Sequence, residues 1–588
     1  MRQPVANNHE QQASKMILSD LIDALFFEDV FELYSKGNLI TQDSHTVWVY
    51  QHQAQQIEIP VYLSSLNMYR FDRAQGEVKL RTPHKETTLN AVTLWDTLVS
   101  MHPETAKQMN TTRFREGLEE ARQQLASQYQ GLDLSEHPFI QSEQFASLKD
   151  RPFHPLAKEK RGLSQEDYAR YQAEYKNTVA LKAVAIHREW VMASQQADEK
   201  VLLHMLGLTH EVQYRHLLED QGLTPEHYMI FPVHPWQLEH ILPQFFKQEF
   251  KDKVIVPLDF ECDHFLSSSS MRTLVDLKRP YHHIKVPFAM QSLGALRLTP
   301  TRYLLNGEKG EQLLEEVIKQ SDYLTKHLSL CDEKHWWSLI GPSGNIFEER
   351  TGHLTVQLRQ YPKAIQEEGT VLVSMASLAM ADTRVFDAIL GHVHYTSSEV
   401  EAVFQDIVTT FSHTMFALMQ QGVLPEVHGQ NILIAFKDGK VTQYVLRDHD
   451  TVRIYPTWMA ENGISVPDYA ILKDTPNTLI NDDLETFFTY FQTLGISVNM
   501  YAIIDTLVTL YHLDEHQLMG FLRTTMKQVV SETKWPGNSE ANVRHLLFEK
   551  ETWPFKRILL PLLYQKHSGG GSMPSSIGKI VNPMMSHE

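Results

Sequence analysis

The residues best suited to chemistry lie at the two ends of one short predicted hairpin. Residues 426–431 (EVHGQN) precede the hairpin, and residues 447–450 (RDHD) follow it. Mg²⁺ accepts carboxylate and amide oxygens as ligands and takes its remaining oxygens from phosphate groups and water. Such side chains at the end of a hairpin can position Mg²⁺ and the phosphates of a nucleotide. The stretch therefore predicts an enzyme that uses ATP.

The pattern between these segments predicts two paired strands. Apolar residues alternate over 432–436, the Asp-Gly pair at 438–439 suits a turn with two positive φ angles, and residues 441–446 return antiparallel. Asn431 and Asp448 should therefore lie near the same end of the hairpin. Protein kinases place an Asn and an Asp in a comparable way, but the kinase Gly-rich loop, VAIK lysine and DFG motif are absent. The likeness to kinases is one of geometry alone.

Two further clusters could bind anions. Residues 150–162 hold four cations and a histidine in a proline-punctuated loop, which can present rigid donors to carboxylates or phosphates, although a charge run is more often a solvated surface. Residues 267–273 (SSSSMRT) offer hydroxyls, amides and an arginine that could cradle a triphosphate. Lys285 and Arg297 fall on segments predicted as neighbouring strands, so they could form a two-cation clamp at an anionic reaction centre. The alternative is a serine-rich turn with two surface cations.

Composition narrows the class of partner. The chain has 588 residues, more than one hydrophobic core usually serves, and a net charge of −18. That charge argues against a nucleic-acid surface and an anionic membrane, so an anionic substrate would need a local basic pocket. No apolar run is long enough for a membrane span and no apolar signal core is present, which predicts a cytoplasmic protein. Cys262 and Cys331 form no CxxC pair, so neither a disulfide nor a zinc cluster is expected.

Changes in pattern predict boundaries near residues 135 and 350. The Gly-Ser run at 568–572 predicts mobility of the last twenty residues, although Ile577, Ile580 and Val581 could still dock. The predicted helices span residues 14–36, 114–125, 311–330, 397–420 and 483–530. The predicted strands span residues 47–49, 57–61, 78–80, 229–233, 254–260, 283–289 and 353–359.

Together these motifs resemble the IucA/IucC family, the siderophore synthetases that work independently of nonribosomal peptide synthetases. The resemblance covers nearly the whole chain and rests on HPLAK at 154–158, FPVHPWQ at 231–237, SMRT at 270–273, Lys285, Arg297 and EVHGQN at 426–431. It implies an α+β fold arranged as the thumb, fingers and palm of a cupped hand. The thumb would span 1–135, the fingers 136–350 and the largely helical palm, with its kinase-like metal-binding hairpin, 351–588. ATP would bind between fingers and palm.

The resemblance also implies roles for individual residues. ATP would be held chiefly through its phosphates by Ser270, Arg272, Thr273, Lys285 and Gln430. Mg²⁺ would be held or oriented by Glu426, Asn431 and Asp448. The carboxylic acid would contact His154, Lys158, Arg297 and His428. Lys285, Arg297 and His428 would act where the acid meets the α-phosphorus.

The implied activity joins a small carboxylic acid to an amine. Overall likeness within the family is to the subtype associated with 2-oxoglutarate, whereas commoner subtypes activate citrate or a citrate derivative. The acid would form an acyl adenylate with release of pyrophosphate, and an amine of a citrate- and diaminopropionate-containing intermediate would then displace AMP. A homodimer is also implied. Two alternatives stay open: a kinase-like phosphotransferase that releases ADP, and a noncatalytic receptor for citrate or an iron chelate.

Overall fold

The computed structural model describes residues 3–42, 45–149, 151–380, 382–473, 478–564 and 577–585. It contains both helices and sheets, as the sequence predicts. The Gly-Ser run at 568–572, for which mobility is predicted, lies outside the described residues. Cys262 and Cys331 are both free and buried.

The N-terminal part packs helices against an antiparallel sheet. The long helices are Gln3–Phe27, Ala91–Met101 and Thr111–Gly131. The strands are Asn38–Gln42, His45–His52, Gln55–Leu63, Tyr69–Phe71, Val78–Thr82 and Lys85–Leu89. The predicted alternation places Ile57 and Ile59 in the core. The opening helix ends at Phe27, earlier than predicted, because Asp29 and Phe31 have positive φ angles that a helix cannot contain.

A second antiparallel sheet carries the serine-rich segment. From one edge to the other its strands are Val191–Ala193, Trp336–Leu339, Thr355–Gln360, Arg279–Lys285, Thr273–Asp276, Ile255–Ser267, Thr178–His187 and Tyr228–Val233. The predicted strand 283–289 stops at Lys285, two residues before Pro287, which cannot donate to the ladder. Arg297 instead follows a separate small hairpin, Gln291–Ser292 with Ala295–Leu296. The prediction that Lys285 and Arg297 lie on neighbouring strands is therefore wrong.

A third sheet contains the predicted hairpin. Its strands, in order, are Leu328–Leu330, Lys440–Leu446, Ile432–Lys437 and Thr370–Ser374. Asp438 and Gly439 have φ angles of 51° and 73°, which confirms the predicted turn. At the other end Ile432 pairs with Leu446, and the Arg447 N–H donates to the Asn431 carbonyl at 3.1 Å. The two motif segments therefore leave the hairpin side by side, as predicted.

Helices form most of the C-terminal part. The long ones are Ser397–Met419, Leu484–Tyr490, the π-helical Phe491–Met500, Tyr501–Tyr511 and Glu515–Glu532. Among the described residues one helical stretch, Leu484–Tyr511, is apolar and long enough to cross a membrane, but 72% of its most apolar window is buried in the protein. It serves here as a core helix.

The remaining elements connect these layers. The predicted helix 311–330 begins earlier, at Thr301, and is divided into Thr301–Lys319 and Asp322–His327 by the cap Ser321. Strand Thr552–Lys556 pairs with Ile577–Val581, so the last apolar segment docks. Shorter helices span Pro103–Ala106, Pro138–Leu148, Gln165–Tyr171, Glu199–Met205, Glu211–Glu219, Pro235–His240, Leu242–Phe245, Lys247–Lys251, Met375–Leu378, Arg384–Leu390, Pro456–Glu461, Glu540–Arg544 and Leu559–Tyr564, and Val423–Leu424 pairs with Arg453–Ile454.

The division at residues 135 and 350 stays a prediction. Strand Thr355–Gln360 belongs to the second sheet, whereas Leu328–Leu330 belongs to the third. The chain thus crosses between these two sheets on both sides of residue 350. This crossing brings the serine-rich segment and the hairpin together.

Candidate functional site

A cavity of about 90 Å³ lies between the serine-rich segment and the end of the hairpin. It is lined by Arg151, Lys160, Ser269, Ser270, Met271, Arg272, Met290, Ser292, Leu293, Arg297, His428, Gln430 and Asp448. Four of these side chains are cations and one is a carboxylate, although the whole chain carries a net charge of −18. The cavity is thus the local basic pocket that an anionic substrate requires.

Asp448 is the acidic group of this cavity. Its carboxylate forms an ion pair with Lys285 and lies 3.0 Å from the guanidinium of Arg359. Its backbone is left-handed (φ 60°, ψ 72°), and its N–H donates to Glu333 at 3.0 Å. Burial alone would raise the pKa of Asp448, but the charges of Lys285 and Arg359 lower it well below its usual range. Asp448 is therefore ionised and held in a fixed direction.

Glu333 and Arg359 were not predicted as site residues. They form an ion pair with each other, and both side chains are buried. Glu333 fixes the backbone of Asp448 while Arg359 fixes its carboxylate. The alternating pattern around Arg359 predicted a strand but no role at a site. Nothing in the sequence near Glu333 distinguished that residue from other glutamates.

A second buried pair ties the serine-rich segment to the hairpin. Arg447 donates to Glu143 at 2.8 Å and to the Gln430 carbonyl at 2.8 Å. Glu143 accepts from the N–H and the hydroxyl of Ser269 at 3.0 and 2.8 Å. Gln430 donates to the Ser269 carbonyl at 3.0 Å. The two halves of the cavity are therefore joined by charged hydrogen bonds.

The pH dependence of stability should report on Glu143. Burial raises its pKa, but Arg447 outweighs burial and lowers the pKa to about 2. A lowered carboxyl pKa stabilises the fold above the unfolded value of 4.5, by about 3 kcal/mol, and this contribution is lost as the pH falls towards 2. We expect Glu143→Gln to lower the free energy of unfolding in urea most at pH 7, with a difference that narrows below pH 4.5. The exposed Glu136→Gln is the control, and a constant difference across this range would contradict the prediction.

His428 faces the cavity as a neutral imidazole. Burial lowers its pKa to about 3, and nearby cations act in the same direction. Its Nδ1 accepts from the Gln430 N–H at 3.2 Å, so the ring proton lies on Nε2. Nε2 has no hydrogen-bond partner among the described residues. His428 can therefore donate one hydrogen bond to a bound anion.

Several predicted site residues do not line this cavity. Lys158 is 2% exposed and donates to Glu174 at 2.7 Å and to the Ser147 carbonyl at 2.9 Å, which turns its ammonium group away. His154 is buried, and its Nδ1 accepts from the Leu156 N–H at 3.1 Å. The structure therefore does not bring these two residues to the basic cavity.

Of three further predicted residues, one lies behind the cavity and two line it. Thr273 is 2% exposed and pairs with Lys285 across two strands, so it sets the position of Lys285 without lining the cavity. Arg272 lines the cavity and donates to the Leu298 carbonyl. Arg297 also lines the cavity, and its guanidinium lies 3.4 Å from the Ser292 carbonyl.

The predicted metal ligands form an oxygen-rich group beside the cavity. The Asn431 amide nitrogen donates to Glu426 at 3.0 Å. Asp450 lies close to these groups. Burial raises the pKa of Asp450 to about 6, and the carboxylates of Asp448 and Glu426 act in the same direction, whereas the charge of Lys285 opposes this rise. Across the described ranges no three His, Cys, Asp or Glu side chains gather as a ready metal site. Mg²⁺ commonly needs only one or two protein carboxylates when phosphates complete its shell, so this donor set fits that ion.

Comparison with known families identifies the class of protein to which the chain belongs. The profile of the IucA/IucC family matches residues 138–380, and the profile described as ferric iron reductase FhuF-like transporter matches residues 404–571. The chain belongs to the IucA/IucC family, whose members are siderophore synthetases. The resemblance found in the sequence is thereby confirmed.

One relative is similar over almost its whole length. Staphyloferrin B synthase of Staphylococcus aureus (strain NCTC 8325 / PS 47) is 48% identical over 579 residues, which cover 98% of each chain. Aerobactin synthase of Escherichia coli is 24% identical over 51% of this chain and 53% of its own. Such relatives are named as synthases and ligases, so the family is one of ligases.

Solved structures share the fold. Petrobactin biosynthesis protein AsbB from Bacillus anthracis str. Sterne superposes with a TM-score of 0.80 at 16% identity, covering 99% of this chain and 98% of its own. ATP-bound aerobactin synthetase IucA from Klebsiella pneumoniae gives a TM-score of 0.74 at 16% identity, covering 98% and 99%. These likenesses concern the fold alone.

Proposed function

We propose that the protein is an ATP-dependent siderophore synthetase that joins a carboxylic acid to an amine and releases AMP and pyrophosphate. The observation that carries the proposal is the cationic cavity between the serine-rich segment and the hairpin. A triphosphate and a carboxylate together bring several negative charges to one place, and the four cations that line this cavity match that charge. The ATP-bound state of one structural relative supports the use of ATP.

The residues around the cavity suit a nucleotide and its metal. Ser270 and Arg272 would bind phosphate oxygens, with Lys285 towards the α-phosphate. Mg²⁺ would be held near Asp448, with Glu426 and Asn431 as further oxygen donors, and would withdraw electrons from the phosphates. Lys285, which now neutralises Asp448, would then be shared between that carboxylate and the phosphate.

The reaction then has two steps. The acid carboxylate attacks the α-phosphorus of ATP, the bond to the β-phosphate oxygen breaks, and pyrophosphate leaves. Arg297 and the Nε2–H of His428 would hold the acid and stabilise the charge that develops on the α-phosphate. The amine nitrogen then bonds to the acyl carbon, the bond from that carbon to the phosphate oxygen breaks, and AMP departs while the nitrogen loses a proton to solvent. Holding both reactants in one cavity would supply much of the remaining rate enhancement.

The acid is proposed to be 2-oxoglutarate, and the amine to belong to a citrate- and diaminopropionate-containing intermediate. The support is the 48% identity to a protein named staphyloferrin B synthase across 98% of both chains. We also propose a cytoplasmic homodimer. A hydroxylamine trap supplied with 2-oxoglutarate, citrate or succinate would identify the acid, because the activated acid accumulates as its hydroxamate. The highest kcat/KM should be found with 2-oxoglutarate, and preference for citrate would contradict this part of the proposal.

The nucleotide products test the reaction class. We expect one turnover with acid and amine to yield AMP and pyrophosphate in equal amounts, measured by chromatography of the nucleotides and an enzymatic pyrophosphate assay. A phosphotransferase would release ADP instead, and a noncatalytic receptor would leave ATP intact. Either of these results would overturn the proposed reaction.

A further inference from the structure

A second cavity lies on the other side of Arg151 and His428. Its volume is about 70 Å³, and these two residues line it as well as the first cavity. The rest of its wall is mostly apolar and includes Phe27, Phe153 and Phe555, which come from three distant parts of the chain. The proposed activation of the acid makes no use of this space, although it adjoins the reacting groups.

Two polar atoms in the second cavity have no hydrogen-bond partner among the described residues. One is the hydroxyl of Ser497, which is 8% exposed, and the other is Nε2 of His428. Ser497 lies in the π-helical segment Phe491–Met500. Helical serines and threonines commonly donate to the carbonyl four residues earlier, as Thr493 does to Thr489 at 2.7 Å. Ser497 does not, and π-helical turns are frequent at functional sites. The hydroxyl is therefore available to a ligand.

The amine of Lys556 indicates which protonation state this cavity favours. It lies at the end of strand Thr552–Lys556 and lines the cavity. Burial, followed by the charge of Arg151, lowers the pKa of Lys556 to about 7. Surroundings that disfavour an ammonium ion favour a neutral amine, and the neutral form is the nucleophile.

We propose that the second cavity binds the primary aminoalkyl arm of the acceptor, with the carbon chain of the arm against the phenylalanines and its nitrogen beside the Ser497 hydroxyl, while the Nε2–H of His428 stays with the acid. The inference rests on the proposed function and adds a location for the second substrate. In the transfer step the nitrogen bonds to the acyl carbon, and the bond from that carbon to the phosphate oxygen breaks. AMP leaves with the electron pair, and the nitrogen gives up its proton to a solvent base.

Val498→Phe tests the cavity by filling it. Val498 is half-buried and lines the second cavity but not the first. Val508 is a half-buried valine further along the same helical stretch that lines neither cavity, so Val508→Phe is the matched control. Both variants are assayed with hydroxylamine, which is small enough to react without the cavity, and with 1,2-diaminoethane. Val498→Phe should retain hydroxamate formation and lose amide formation with the diamine by on the order of tenfold or more.

Ser497→Ala provides a second test that does not alter packing. It should raise the KM for 1,2-diaminoethane and leave hydroxamate formation unchanged, because only the hydrogen bond to the amine is removed. Equal loss of hydroxamate and amide, or loss of neither, in both variants would overturn the acceptor site. So would a wild-type protein that forms hydroxamate but no amide at any diamine concentration. Failure of the wild-type protein to form hydroxamate would instead overturn the proposed function.

Discussion

Asp448→Asn is expected to lower the rate of hydroxamate formation by at least on the order of 10² to 10³. The amide keeps the size of the side chain but removes the negative charge that pairs with Lys285 and Arg359. Lys285 would then lose its counter-charge, Arg359 would keep only its ion pair with Glu333, and Mg²⁺ would lose a carboxylate ligand. The measurement is the initial rate of hydroxamate formation at saturating ATP over a range of Mg²⁺ concentrations.

Asp438→Asn is the matched control for this experiment. Asp438 lies in the turn at the opposite end of the same hairpin, is exposed and also has a positive φ angle, which Asn tolerates. It should retain full activity. Thermal denaturation of both variants separates a loss of folding from a loss of chemistry. Normal hydroxamate formation by a folded Asp448→Asn protein would remove Asp448 from the active site.

Local patterns predicted the elements that carry the site. The alternation over residues 432–436 and the Asp-Gly turn predicted the hairpin, and the structure confirms its antiparallel pairing and its turn, with one register shift between Ala435 and Phe436. The EVHGQN segment was recognisable because its oxygen-bearing side chains and its histidine are close in sequence. The reason for Gly429 in that segment lies instead in distant residues, since a Cβ there would lie 2.9 Å from Asn499 Oδ1 and 3.1 Å from the Ala376 nitrogen.

Contacts between distant segments could not be predicted in the same way. Glu143 and Arg447 are 304 residues apart, and Glu333 contacts a backbone N–H 115 residues away. Glu143 lies in a recognisable stretch whose ion-pair partner the sequence does not indicate, and Glu333 lies in no distinctive motif. Burial of an ion pair depends on which surfaces meet in the folded chain. Lys158 was misleading for the converse reason: its basic loop suggested a ligand, but the buried partner Glu174 occupies its ammonium group. A single sequence does not reveal such partners.

The short hairpin before Arg297 also misled the prediction from sequence, which placed Lys285 and Arg297 on neighbouring strands. Pro287 ends the strand after Lys285, and residues 291–296 form a hairpin too short to show a clear alternation. Lys285 and Arg297 consequently approach the cavity from different directions. Lys285 contacts Asp448, whereas Arg297 lines the wall near His428. The two cations can therefore serve different groups, the nucleotide phosphates and the acid.

This separation leads to a distinct expectation for Arg297→Ala. Arg297 should contact the acid and the α-phosphate as charge develops, so its loss should lower kcat/KM for the acid by on the order of 10² to 10³ with a much smaller change in the KM for ATP. Arg297→Lys should recover part of the activity because lysine keeps the charge but not the planar fork. The measurement is hydroxamate formation with acid and ATP varied in turn.

Arg302→Ala is a suitable control because Arg302 follows five residues later, does not line the cavity and pairs with Glu349 at 2.7 Å. Equal effects of Arg297→Ala and Arg302→Ala would mean that Arg297 acts only through the fold. A large rise in the KM for ATP alone would assign Arg297 to the nucleotide and leave His428 as the cavity's donor to the acid. The expected result would assign Arg297 to the acid and leave Lys285 to the nucleotide phosphates, in agreement with their positions on different sides of the cavity.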